Sequence, residues 1–236
     1  MAYGIQLGSR VLDAGRTLEL HSSGTVALGS YLILPAKTFT VPCGGKTFNY
    51  SFGNHYRYGA LLSVSDANTD LVFVKSNFGV VVEIVNSSTI AIVSDTPGSV
   101  SYMVFSKPTN QQTGFGLMVY DGSANAVLNM SKNNLVVRKV MPLVGYADFM
   151  QRVYPHGLDY QPYVLAQKHR PIADLTFCVP GFFVGVAYWT EMQTVYGDGT
   201  NLVYQVRRVI HPISGVQPTI SILSGGDISV ALTDGA

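Results

Sequence analysis

The chain has 236 residues, of which 15 are Lys or Arg and 14 Asp or Glu, a formal charge of +1 and a charged fraction of 12%, about half the ~25% of ordinary soluble domains. So small a charge excludes a nucleic-acid binder held by counterion release, and 47% apolar with 11% aromatic residues excludes a disordered chain. A surface this poor in charge is cheaply desolvated, the property of a subunit that packs permanently against others.

In chain order the pattern is that of an all-β protein: short runs rich in Val, Ile, Tyr and Thr between clusters of Gly, Asn, Asp, Ser and Pro. Met1-Ala2-Tyr3-Gly4-Ile5-Gln6 has neither the basic stretch nor the apolar core of a secretory leader, which predicts cytosolic synthesis. Ile5-Gln6-Leu7 and Arg10-Val11-Leu12 flank Gly8-Ser9, a two-residue hairpin with Gly where a type II′ turn needs positive φ. Val81–Val85 and Thr89–Val93 form the next clear hairpin, across Asn86-Ser87-Ser88, and Val100–Phe105 reads as a closing strand. A single helical turn is expected near Ala147 to Val153. The uncharged run Leu175–Thr190 is split by Pro180-Gly181, so it predicts two buried strands rather than a membrane span. Tyr188–Tyr196 and Asn201–Ile210 make a last hairpin around Gly197-Asp198-Gly199-Thr200.

The chain also resembles itself. Tyr3-Gly4-Ile5-Gln6-Leu7 recurs as Phe115-Gly116-Leu117-Met118-Val119, and Val11-Leu12-Asp13 with Thr17–Leu20 recur as Val127-Leu128-Asn129 with Asn134–Val137. Ile84–Ile92 is matched by Ile222–Val230. With the linker Lys107–Gly114 between them, these matches predict two tandem β-sandwich modules, residues 1–107 and 108–236. The second is expected to lack a closing strand, leaving an open edge, and to carry a long irregular insertion from Gly145 to Pro171.

Chemistry is sparse. No nucleophile elbow, phosphate loop or zinc motif occurs, and the five His are scattered. Cys43 and Cys178, without CxxC spacing, read as small buried apolar residues. Asp13 with Glu19, or Asp159 with Asp174, offers the carboxylate pair of a glycoside hydrolase, but nothing selects either pair. Asp198 and its glycines suit a hairpin tip better than a calcium site. We therefore expect no catalytic, cofactor or metal residues. The candidate partner-binding residues are those of the insertion, Tyr146, Phe149, Arg152, Tyr154, His156, Tyr160, Tyr163, His169 and Arg170, a mixture of amphipathic rings and hydrogen-bonding groups suited to contact.

The repeated opening, Phe115 to Val140 above all (FGLMVYDGSANAVLNMSKNNLVVRKV), and the strand Ser101–Phe105 resemble small bacteriophage tail and virion proteins. The resemblance implies a β-sandwich component of a tail tip, baseplate or fibre, without catalysis and located in the virion. Other tail proteins and further copies of the chain, as a trimer or hexamer, are its implied partners. Host attachment through a surface glycan or pilus, with the insertion tyrosines as the platform, is the alternative role.

Overall fold

The structure is a computed structural model that describes residues 4–7, 10–13, 17–29, 37–40, 47–50, 58–143, 151–167, 170–179, 182–212 and 228–235. These hold strands and no helix, so the protein is all-β. In the first half, β1 (Gly4–Leu7) and β2 (Arg10–Asp13) form the opening hairpin, followed by β3 (Glu19–Leu28) and a second hairpin of β4 (Lys37–Thr40) and β5 (Thr47–Tyr50). Then come β6 (Tyr58–Ser63), β7 (Leu71–Lys75), β8 (Val81–Asn86), β9 (Thr89–Ser94) and β10 (Gly98–Ser106). The second half has β11 (Met118–Tyr120), β12 (Ala126–Asn129), β13 (Lys139–Leu143), β14 (Arg152–Pro155) and β15 (Tyr163–Leu165). It continues with β16 (Arg170–Val179), β17 (Phe182–Asp198), β18 (Asn201–Pro212) and β19 (Ile228–Thr233). Residues 107–117, covering the expected linker, contain no strand.

The largest sheet takes three strands from each side of residue 107, in the order β13-β19-β15-β7-β10-β3, all antiparallel. Read inward from either edge it repeats itself: the early long-loop strand (β3 or β13), the last strand of that half (β10 or β19), then a middle strand (β7 or β15) at the centre. The smaller sheets follow the same rule. β6-β9-β8 corresponds to β14-β18-β17, to which β16 adds a fourth strand.

Alternation along the strands places the cores. Val72 and Val74 of β7, Val100 and Val104 of β10 and Leu28 of β3 share one apolar cluster with Leu62, Val82, Ile90 and Ile92 of the three-stranded sheet. Met141, Leu143, Val164, Val230 and Leu232 share another with Val195, Leu202 and Tyr204 of the four-stranded sheet. Each such side chain contributes about 1.5–3 kcal/mol on leaving water. Phe73, Met103 and Phe105 alternate to the other face of the six-stranded sheet, where they meet Leu18, Leu20, Leu135, Tyr163, Leu165 and Ala231. Phe73 and Phe105 meet edge to face, with centroids 5.7 Å apart.

Several expectations need correction. The second half does not lack its closing strand: Ile228–Thr233 is that strand, β19, paired on one side to β13 and on the other to β15. It is therefore not the arm of a late hairpin corresponding to β8 and β9; the hairpin in that position is β17–β18, and residues 222–227 lie outside the described residues. Nor is the segment 145–171 an irregular insertion, since it supplies β14, β15 and the start of β16. The helical turn near 147–153 is absent where the chain is described, because Arg152 and Val153 lie in β14, against Tyr204 and Val203 of β18. Residues 147–150, the Pro180-Gly181 turn and Cys43 lie outside the described residues. The strands flanking that turn do pair, Val179 opposite Phe182.

Candidate functional site

Most of the described candidate contact residues serve the fold itself. Tyr146, Phe149 and His169 lie outside the described residues, and of Arg170 only the backbone, opposite Glu191 in β16–β17, is described. Arg152 and Tyr154 project from β14, half-buried, and Tyr154 packs on the second apolar cluster. His156 is completely enclosed. Its Nδ1 accepts from the Leu158 N–H at 3.1 Å, so Nε2 carries the hydrogen and donates to the Gly199 carbonyl at 2.9 Å. The His156 N–H donates to Thr200 O, and Lys139 Nζ donates to the His156 carbonyl. A histidine fixed this way is a clasp between β14 and the β17–β18 turn, and offers nothing to a partner.

Gln161 extends the clasp, donating from Nε2 to Ser76 O at 3.1 Å and to Gly197 O at 3.2 Å, and so ties both halves to one hairpin. Gly197 is required there, because a Cβ would stand 2.9 Å from Gln161 Cγ. Gly199, at φ +59°, supplies the left-handed residue of the tip. Tyr160 and Tyr163 of the expected set reach accessible surface. Tyr160 is 36% exposed. Tyr163 is half-buried, with the Lys75 ammonium 5.0 Å from its ring centre.

Tyr163 belongs to a cleft of about 410 Å³ on the sheet face that carries Phe73 and Met103. Leu20, Ser23, Gly24 and Thr25 of β3 line it with Met103 of β10, Asn133, Asp234 and Gly235. The cleft thus draws on both halves of the chain. Asn133 is positioned by main-chain pairing of 133–135 with the start of β3, Leu20 N–H donating to Asn133 O and Leu135 N–H to Leu18 O. Asp234 holds the Arg138 guanidinium, with Nε and one terminal nitrogen both 2.8 Å from Oδ2.

A second surface feature lies elsewhere. Seven large apolar side chains between 115 and 140 stand exposed: Phe115, Leu117, Tyr120, Met130, Val136, Val137 and Val140. Among the described residues only Leu61, Val153 and Tyr160 join them. Of the seven, Tyr120 belongs to the β11–β12 hairpin, Val140 to β13 and the others to the segments between and before them. The hairpin's turn is tied by Asp121, whose Oδ1 accepts from the Ser123 and Asn125 N–H groups. Those bonds hold the Asp121 carboxyl below its usual range, as the bond from Asn68 N–H does for Asp66. The apolar residues Phe115 and Leu117 are the available signal for this exposure; read as part of a strand they conceal it.

One of the candidate carboxylates has a structural role. Glu19 is buried and ion-paired with Lys132 at 3.1 Å, so it is no free general acid. No group of three or more His, Cys, Asp or Glu side chains gathers among the described residues, and no helix there is long and apolar enough to cross a membrane. Compared with known proteins, the chain matches no family model, no curated protein and no solved structure.

Proposed function

We propose that the protein is a non-enzymatic structural component of a bacteriophage tail, in the baseplate or tail tip, that takes part in tail assembly and host attachment. It works by contact, as two sandwich modules sharing one sheet. The supporting observation is that seven large apolar side chains between Phe115 and Val140 stand exposed. Large apolar side chains left exposed on a chain of low charge support contact with a partner that covers them. The resemblance of the same segment to phage tail proteins gives the setting, with other tail proteins and further copies of the chain in a trimer or hexamer as the partners.

Phe115→Asp combined with Leu117→Asp tests this. The double variant is expected to keep its melting temperature but to fail to enter particles or to associate in sedimentation. Incorporation equal to the parent chain, or a parent chain that stays monomeric and has no affinity for tail components, would refute the proposal. A second role, recognition of a host-surface glycan, is favoured by the cleft beside Tyr163.

A further inference from the structure

We infer that the cleft between β3 and Tyr163 is a binding site for a neutral oligosaccharide of about two sugar rings. This rests on the second role above and assigns it residues. At about 410 Å³ the cleft falls in the size range of small-ligand sites, roughly 300–1,000 Å³. Its lining selects the class of ligand. Leu20, the edge of the buried Met103 and the half-buried Tyr163 supply a small apolar part of the lining, which is otherwise mostly polar. The polar residues of the lining are Ser23, Thr25, Asn133 and Asp234, and Tyr163 carries a hydroxyl besides its ring.

Their hydrogen-bonding capacity is largely unspent. Thr25 Oγ1 lies 3.2 Å from Ser101 Oγ, and Asp234 spends Oδ2 on Arg138 while Oδ1 remains. Ser23, Asn133 and Tyr163 make no side-chain hydrogen bond within the described residues.

Other ligand classes fit worse. No lining side chain is cationic, and the neighbouring Lys75 and Arg138 are engaged by the Tyr163 ring and by Asp234. A phosphate or carboxylate ligand would find no cationic side chain in the lining, the Arg138 charge being already paired with Asp234. A purely apolar ligand would strip water from three hydroxyls and an amide without replacing their hydrogen bonds. A neutral polyol with one apolar face satisfies both halves of the lining.

The test uses the full chain and calorimetric titration with lactose, maltose and diacetylchitobiose, with sialyllactose and inorganic phosphate as charged probes. Binding of at least one neutral probe is expected, weakened at least tenfold by Asn133→Ala and abolished by Ser23→Trp. The second variant fills the cleft from an exposed strand position, so the fold is kept, as circular dichroism would check. Neutral-probe binding that both variants retain would overturn the site while leaving the glycan role standing. Binding of the charged probes alone would overturn the ligand class. No binding of any probe would overturn both the site and the glycan role.

Discussion

Residues 115–140 and 151–167 are both rich in aromatic and branched side chains and both connect strands of the second half, yet they dispose of those side chains oppositely. In the first segment Phe115, Leu117, Met130, Val136 and Val137 face outward. In the second, Val164 and Ala166 are buried, His156 is enclosed and Gln161 is spent on two carbonyls. The difference follows from pairing. β15 inserts between β7 and β19 and so acquires neighbours on both sides, whereas among the described residues β11 and β12 pair only with each other. Ala126 and Leu128 of that ribbon are buried, while the exposed Phe115, Leu117, Met130, Val136 and Val137 lie in the segments flanking its two strands, outside any sheet. Polar residues that look like contact groups thus became internal ties, and apolar residues that look like core remained at the surface.

The comparison is broken most severely by Val164→Asp, which sets an unpaired charge at a position 1% exposed at the centre of the six-stranded sheet. A loss of about 4 kcal/mol or more is expected, read in urea titration as the disappearance of the cooperative transition. A transition within error of the parent would show that β15 does not hold the sheet together. His156→Ala should cost about 2–3 kcal/mol, because it removes both side-chain bonds of an enclosed ring; a melting temperature unchanged within a degree would mean the clasp is dispensable. The smallest effect concerns the other segment. The Asp121 carboxyl is held below its usual range by the bonds from Asn125 and Ser123, so its contribution is present above the unfolded value and is lost as pH falls through the lower folded value. An NMR titration should therefore place the Asp121 midpoint below that of an unstructured aspartate, with the hairpin amides loosening at the acid end while the β14–β15 amides stay put.

Much of the strand content was legible because period-two alternation is a local property. The arms of β8–β9 and β17–β18 and the closing strand β10 stand close to where the Val, Ile and Tyr runs place them. β14 and β15 were hidden for a physical reason. Each is only three or four residues long, and Pro155, Gly157 and Pro162 punctuate the stretch between them, so the local chemistry reads as loop. What makes Tyr163–Leu165 a strand is the presence of Phe73 and Val74 on one side and Leu232 and Thr233 on the other, which no window of sequence contains. The cleft was illegible for the same reason. Tyr163 stands out as an aromatic, but Ser23, Asn133 and Asp234 belong to no motif and meet only when β3, the 133–135 segment and the end of β19 are brought together.

The central pairing of the six-stranded sheet has a consequence for how the chain is made. Val74 pairs with Val164, 90 positions later, so at the usual synthesis rate of about 5–20 residues per second the edge of β7 waits roughly 5–18 s for its partner to leave the ribosome. Throughout that interval Leu71-Val72-Phe73-Val74 presents an uncharged strand edge, a template for the same segment of a neighbouring nascent chain. Chains translated close together on one message are therefore the ones at greatest risk of joining through β7, and slower or sparser translation should raise the yield of correctly closed protein.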